Sequence, residues 1–487
     1  MKLNHLLPAV GLLAGLAGGC AVGPDYQKPA APAPAQWSEP LAGGETNRPA
    51  ALAAWWKNFH DAELDSLIRR AANSNLDLRI AQARVREARA AAGAAAADRW
   101  PTLDAGGAYQ RQLQSQQQPL ISEMALPEKY FENDVYQAGF DAAWEIDVFG
   151  GKRRATEAAR AEAVAAELGQ RAVLVTLLGE VARNYVAVRG GQSRLAITRE
   201  NIRAQEQTLE IIQTRFTNGL ATDLEIQQAG ALLAATQAQL PTLASRLQAS
   251  IHRLGVLLGQ APGTLRDELA AAAPVPPLPP EVPVGLPSEL LLRRPDVQRA
   301  ERQLAAATAR IGLAQSDLFP KFFLTGQLGS ESVSASDWFT GPSKYWAIGP
   351  TVQWRIFDAG RIRANVKIQN ARQEQALAAY EQTVLTAFEE VENGLVSYAQ
   401  EQVRRDSLET AAAASRKALE RAEQLYANGL SNFINVLDAE RSLYQIQDAQ
   451  AQSTQAQAEN LIALYKGLGG GWETAPAPVA HGGAAKP

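Results

Sequence analysis

WEIDVFGGKRR (144–154) and WRIFDAGRIRA (354–364) decide the fold, because they occupy matching places in a sequence that repeats itself. Outward from them, residues 139 to 259 align with 349 to 469 at a constant offset of 210 and without a gap. Gly139 and Gly349, Trp144 and Trp354, Ile146 and Ile356, and Gly150 and Gly360 coincide. So do Val181 and Val391, Leu209 and Leu419, Leu233 and Leu443, Leu254 and Leu464, and Gly259 and Gly469. Upstream, a second block aligns at an offset of 219: Asp77, Ala81, Asp98, Pro101 and Gly107 match Asp296, Ala300, Asp317, Pro320 and Gly326. The nine-residue difference falls between Gly107 and Gly139, and between Gly326 and Gly349. Both segments are therefore read as loops, which absorb length changes freely. Self-similarity over such a long stretch means that one structural unit is built twice.

Each unit reads helix, strand, loop, strand, long helix, turn, helix. Tyr136, Ala138, Phe140, Ala142, Trp144, Ile146 and Val148 alternate with Gln137, Gly139, Asp141, Glu145 and Asp147. Trp346, Ile348, Val352, Trp354 and Ile356 alternate likewise with Thr351, Gln353 and Arg355. The strands are expected over about 102–112, 135–148, 322–332 and 345–357. Period two with one apolar and one polar face fits a membrane barrel with a wet lumen. It also fits a soluble sandwich, but the large aromatics near the strand ends favour the membrane. Four strands cannot close a barrel, and an open edge in lipid leaves backbone groups unpaired. Several chains must then share one barrel, of eight, twelve or sixteen strands.

Proline is absent from 151 to 240 and from 351 to 475. Heptad-like apolar spacing among Ala, Glu, Gln and Arg predicts helices packed as coiled coils, in hairpins over 150–259 and 360–466. A helix over 152–213 would reach about 93 Å at 1.5 Å per residue, far more than a membrane's thickness, with a possible bend at Gly190 and Gly191. Pro274 to Pro287 form a stiff connector (273–287) between a first repeat over 55–272 and a second over 288–471. Residues 472–487 read as a disordered tail.

The chain has 487 residues, 46% of them hydrophobic, with a net charge of −4, four histidines and one cysteine. That balance carries no electrostatic footprint for nucleic acid. No intrachain disulfide can form, and Cys and His together cannot supply a zinc-type cluster. Lys2 and His5 precede a short apolar run, Leu6 to Leu16, which reads as a secretory signal over 1–19. The unique Cys20 follows in AGGC, which resembles a lipobox. There the thiol would be acylated and the cysteine would become the first mature residue of an extended segment, 20–54. No later run is apolar and long enough for a membrane helix.

CAVGPDYQKP (20–29), WWKNFHDAELDSLI (55–68), GLPSELLLRRPDVQRAE (285–301) and ANGLSNFINVLDAERSLY (427–444) appear in this order. Together they resemble the TolC/OprM family of outer-membrane efflux proteins, in its lipoprotein (NodT-like) branch, over nearly the whole chain. The resemblance implies a mixed α/β membrane protein: a homotrimer with a twelve-stranded β-barrel, continued by a twelve-helix coiled-coil α-barrel with an equatorial domain. It implies a passive exit duct for drugs or other small toxic compounds in the bacterial outer membrane. The partners it implies are outer-membrane lipid, a periplasmic adaptor and an inner-membrane resistance-nodulation-division pump, with no cofactor beyond the lipid on Cys20.

The turns TNGL (217–220) and ANGL (427–430) lie farthest from the strands, and Asn-Gly stops a helix well. By resemblance Arg215, Asn218, Gly219, Leu220, Asn428, Gly429, Leu430 and Ser431 form the tip that meets the adaptor. Beyond the turns, Gln228 and Ala231 become Asp438 and Arg441. By resemblance Ile434, Asp438 and Arg441 line a closed periplasmic aperture; by spacing alone Asp438 and Arg441 are an exposed i,i+3 pair. Arg293 and Arg294 read as a structural joint around Pro295. No nucleophile elbow, phosphate loop or His-carboxylate cluster points to an enzyme, and His60 and His252 stand alone. The competing readings are a non-conducting coiled-coil envelope protein, which the amphipathic strands oppose, and the exit duct of a type I protein-secretion system.

Overall fold

A computed structural model describes residues 21–30, 34–39, 45–46, 52–113 and 132–474. Cys20, the signal, the loop between the first two long strands and 475–487 lie outside these residues; the first part of the expected disordered tail, Trp472–Thr474, is instead a 3-10 turn. The described residues are mostly helical, with one four-stranded sheet and one two-residue strand pair among them.

The order is β1 (Glu45–Thr46), a 3-10 turn (Trp55–Phe59), α1 (Ala62–Ser74), α2 (Leu76–Ala97), β2 (Thr102–Leu113) and β3 (Glu132–Ile146). Then follow α3 (Gly151–Thr217), α4 (Asp223–Gln237), α5 (Gln239–Leu257), β4 (Val282–Pro283), α6 (Pro287–Arg293) and α7 (Pro295–Ser316). The chain continues through β5 (Lys321–Ser332), β6 (Lys344–Gln353), α8 (Arg361–Ala427) and α9 (Phe433–Gly467). Helices α3 and α8 are each 67 residues, about 100 Å at 1.5 Å per residue, and begin 210 residues apart. Strands β2 and β5 are each 12 residues and begin 219 apart.

Three expectations change in detail. β3 covers 132–146 rather than 135–148, because Asp147 turns away to cap α3: its carboxylate accepts from the backbone N–H groups of Lys152 and Arg153 at 3.0 and 2.9 Å. β6 stops at Gln353 rather than 357, since its partner β5 begins at Lys321, opposite Gln353. The second arm of the first hairpin is two helices, α4 and α5, while its counterpart α9 runs unbroken for 35 residues. Pro241 accounts for this, because its ring clashes with the carbonyl four residues back, at Gln237, where α4 ends. Helix α3 passes through Gly190 and Gly191 without interruption, and a side chain at Gly190 would run into Gln455 of α9.

The chain divides into two compact units. One holds the sheet β2-β3-β5-β6, antiparallel throughout, and residues 21–29. There the buried Arg154 ties down the N-terminal segment, donating to the Val22 and Gly23 carbonyls at 3.2 and 3.3 Å and to Asp25 at 2.7 Å. The Val22 N–H donates to the Phe149 carbonyl at 3.0 Å.

The other unit holds the main apolar core. Trp55, Phe59, Leu64 and Leu67 meet Leu178, Val181 and Tyr185 of α3, Leu254 of α5, Val391 and Tyr398 of α8, and Leu461 and Tyr465 of α9. Trp55 stacks on Tyr465 at 5.3 Å. Each such ring contributes about 1.5–3 kcal/mol by leaving water. The proline-rich connector supplies β4, which pairs in parallel with β1. Trp37 is held by the connector's Gly285 carbonyl at 2.9 Å and by the edge of Phe388.

Candidate channel wall and helical tip

Register separates the two faces of the sheet cleanly. Thr102 opposes Ala143, Tyr136 opposes Ser332, and Lys321 opposes Gln353. Since side chains alternate along a strand, one face carries Leu103, Tyr109, Tyr136, Phe140, Trp144, Leu324, Leu328, Trp346, Ile348 and Val352. The other carries Asp104, Gln110, Gln137, Asp141, Glu145, Gln327, Thr351 and Gln353. Asp104 and Asp141 lie directly opposite each other on the polar face. The apolar face covers no core: Leu103 is 70% exposed, Trp346 75% and Ile348 69%. A soluble sandwich would bury such a face; lipid accepts it. β2 and β6 each have a neighbour on one side only among the described residues.

Glycines permit a close crossing on the polar face. Tyr345 lies over Gly329, and its hydroxyl accepts from the Gln137 side chain at 3.3 Å. A Cβ at Gly329 would meet both the Ala138 carbonyl and the Tyr345 hydroxyl at 2.7 Å.

At the far ends of the long helices the two turns share one construction. Gly219 and Gly429 have φ of +71° and +70°, where only glycine is unstrained. The Leu220 N–H bonds back to the Arg215 carbonyl, and the Leu430 N–H to Leu425, each at 2.8 Å. The Asn218 and Asn428 side-chain amides donate to the Thr214 and Gln424 carbonyls, each at 2.7 Å. Two of the backbone carbonyls left free at each helix end are thus satisfied, one by the turn's backbone and one by the Asn side chain. Leu220 and Leu430 are exposed, as are Asn218 and Asn428.

Behind these turns the hairpins meet in a small core of Ile212, Ala229, Phe433, Val436 and Leu437. Arg215, half-buried, lies over the Tyr426 ring at 4.7 Å, and Tyr426 packs on Phe433. Ser431 accepts from Asn435 at 2.8 Å. Ile434 faces outward. Arg441 donates to Asp438 at 2.7 Å with both side chains more than half exposed.

Between Asp438 and Arg441 sits a group that sequence reading passed over. Glu440 is 6% exposed and accepts one hydrogen bond, from Thr208 of α3 at 2.8 Å. Burial pushes its carboxyl above the usual carboxylate range; the Thr208 hydroxyl opposes this, and the charge of Glu423 on α8 adds to it.

The expected joint at Arg294 is a buried guanidinium whose carboxylate partners, Asp296 and Glu390, reach toward solvent. Its guanidinium donates to both Asp296 oxygens at 3.0 and 2.6 Å, to Glu390 at 2.6 Å and to the Gly467 carbonyl at 2.9 Å. Nothing about it suggests chemistry on a substrate.

A sheet with one exposed apolar face, one polar face and two edges unpaired among the described residues, in a chain with two helices of 67 residues each, agrees with the comparisons to known outer-membrane channels. The chain belongs to the outer membrane efflux protein family, whose model matches residues 67–260 and 286–470. It is 35% identical over 481 residues to the outer membrane protein OprJ of Pseudomonas aeruginosa, covering 97% of each chain. It is 33% identical over 470 residues to the probable outer membrane lipoprotein SilC of Salmonella typhimurium, covering 94% of this chain and 96% of that one. The solved outer-membrane channel OprN superposes with a TM-score of 0.86 at 36% identity, over 93% of this chain and all of that one. The protein is thus an outer-membrane efflux duct of a tripartite pump, and not an enzyme.

Proposed function

We propose that three copies close one twelve-stranded barrel and that their long helices form a second, twelve-helix barrel reaching into the periplasm. The observation that carries this is the four-stranded sheet with β2 and β6 unpaired on their outer sides. In lipid those edges must find partners. The number three follows the family.

Drugs and other small toxic compounds cross this duct passively, along the wall that carries Asp104, Asp141, Gln137 and Thr351. Selection belongs to the inner-membrane resistance-nodulation-division pump. A periplasmic adaptor docks on Arg215, Asn218, Gly219, Leu220, Asn428, Gly429, Leu430 and Ser431. Ile434, Asp438 and Arg441 form the periplasmic aperture. Acyl chains on Cys20 anchor the mature N-terminus, a reading that the lipoprotein relative supports. Arg154 holds Val22 and Gly23, the second and third residues after that anchor.

Native mass spectrometry in detergent tests the assembly, with a trimer expected; a monomer as the sole species overturns it. Mass analysis of the N-terminal peptide tests the anchor, and an unmodified cysteine overturns that part.

A further inference from the structure

The two halves of the sheet are related by fixed shifts, and those shifts carry over to the unpaired edges. In the first hairpin Thr102 opposes Ala143; in the second Lys321 opposes Gln353. The second pair is the first displaced by 219 in one strand and 210 in the other, and this holds along both hairpins. The junction between them, β3 on β5, has a definite register running from Tyr136 opposite Ser332 to Ile146 opposite Phe322. β6 is the counterpart of β3, and β2 is the counterpart of β5. Applying the same shifts to that junction gives a pairing that one chain cannot make with itself.

We infer that β6 binds the β2 edge of a second copy of this chain, antiparallel, with Trp346 opposite the second copy's Leu113 and Ile356 opposite its Leu103. Between these ends Pro350 faces Tyr109, Thr351 faces Ala108, Val352 faces Gly107 and Trp354 faces Ala105. The inference rests on the shared-barrel reading above and adds to it which residues meet.

Two observations support this register. First, the faces match. Trp346, Ile348 and Val352 lie on the apolar face of β6, and Leu103, Gly107 and Tyr109 lie on the apolar face of β2. The derived register keeps both faces continuous across the junction, whereas a slip of one residue would turn every side chain of the second copy to the wrong side. Second, it explains where β6 ends. The alternating pattern runs on to Ile356, yet the strand stops at Gln353, leaving Trp354 56% and Ile356 83% exposed. In β3 the matching residues Trp144 and Ile146 are in strand because Leu324 and Phe322 pair with them. In the derived register Ala105 and Leu103 of the second copy supply those missing partners, so β6 extends to Ile356 on assembly.

Disulfide cross-linking of the full-length, membrane-inserted protein tests this. Directly opposed residues bring their Cβ atoms to about 4.5–5.5 Å, and diagonal ones to about 7–8 Å. The matched pairs are Thr351→Cys with Ala108→Cys, on the water-lined face, and Val352→Cys with Gly107→Cys, on the lipid face. The slipped pairs are Thr351→Cys with Gly106→Cys or with Gln110→Cys. Single-cysteine variants control for folding and for any part played by Cys20. The expected result is a ladder of linked chains from both matched pairs, at least several-fold stronger than from either slipped pair. Stronger linking by a slipped pair overturns the register while leaving the shared barrel intact. No linking by any pair, with an oligomer by native mass, overturns edge pairing of β6 with β2. No linking together with a monomeric mass overturns the shared barrel itself.

Discussion

Replacing Thr208 with Val should loosen the helical tip far more than removing the exposed ion pair that draws attention in the sequence. Thr208 gives the buried Glu440 carboxylate a hydrogen bond at 2.8 Å, the one that joins α3 to α9 at this point. Valine keeps the volume and deletes the donor. A hydrogen bond to a charged group is worth about 1.5–3 kcal/mol, and a buried acceptor left unpaired costs its full desolvation. The Asp438–Arg441 pair, at 55% and 60% exposure, is worth about 0.3–0.5 kcal/mol. If three chains open together, Thr208→Val shifts the closed population by about 4.5 kcal/mol or more, a factor on the order of a thousand. Asp438→Ala with Arg441→Ala shifts it by about 1 kcal/mol, roughly fivefold. The pH dependence has a definite sign. Burial raises the Glu440 pKa, so the tip packing is unpenalised below the ordinary carboxylate range and weakens as pH rises through the raised value. Acidification should therefore tighten the wild-type tip, Thr208→Val should steepen this dependence, and Glu440→Gln should flatten it. Single-channel conductance across a pH series, with uptake of a large antibiotic normally kept out by the outer membrane, measures both effects. A double Ala variant leakier than Thr208→Val, or a wild-type opening probability that rises on acidification, would refute the reasoning.

Gly329→Val should block barrel insertion, because its Cβ would sit 2.7 Å from both the Ala138 carbonyl and the Tyr345 hydroxyl; heat-modifiable mobility of the oligomer reads this out, and normal insertion would contradict it. Gly219→Val and Gly429→Val place a β-branched side chain at φ near +70° with no atom within 4 Å of its Cβ. Their cost is then backbone strain of about 1–3 kcal/mol at the turn alone, so insertion should survive while adaptor pull-down and efflux decline. Arg294→Met should cost about 1.5–3 kcal/mol by removing the charged hydrogen bonds to Asp296, Glu390 and the Gly467 carbonyl, measured by helical circular dichroism on heating. Burial opposes ionisation of Asp296, yet Arg294 holds its carboxyl below the usual range. The wild-type contribution is therefore present above the ordinary Asp value and fades as pH falls through the lowered one, and the variant should lose this acid sensitivity.

The features legible in the sequence are those set by local pattern. Alternation at 136–146 marks β3, freedom from proline marks α3 and α8, and Asn-Gly marks both hairpin turns. Features that depend on a distant partner were not legible. The end of β6 at Gln353 is set by where β5 begins, 32 residues earlier along the chain at Lys321. The Thr208–Glu440 bond spans 232 residues, and Arg215 meets Tyr426 only through packing of the two hairpins. In the sequence Glu440 is one more acid on a charged helix, and its burial next to Val436 and Leu437 is a tertiary fact. The α4–α5 break had a local signal, Pro241, one residue beyond the stretch read as free of proline. The Arg154 clamp had none, because three of its acceptors, the Val22 and Gly23 carbonyls and Asp25, lie about 130 residues away along the chain.

The duplication also shows what a channel of this kind can vary. Asn75 and Arg294 stand at equivalent positions, and their targets, the Leu257 and Gly467 carbonyls, are equivalent too. Asn75 donates to Leu257 at 2.8 Å and caps α2 through Leu78 at 2.9 Å. Arg294 donates to Gly467 at 2.9 Å, while Asp296 caps α7 through its own carboxylate, accepting from the Val297 N–H at 3.0 Å. One joint, holding a short helix pair against the end of a hairpin, is built once from a neutral amide and once from an ion cluster. The amide does both tasks with one side chain and little desolvation. The guanidinium must be matched by Asp296 and by Glu390 of α8, so the second joint also fastens α8, which the first leaves untouched. A buried guanidinium is a poor source of net stability, but its donors require acceptors at fixed places, here Asp296, Glu390 and the Gly467 carbonyl. Such a joint belongs in the half whose hairpin carries Ile434, Asp438, Glu440 and Arg441. There α9 must be held firmly at its Gly467 end if movement is to be confined to the tip.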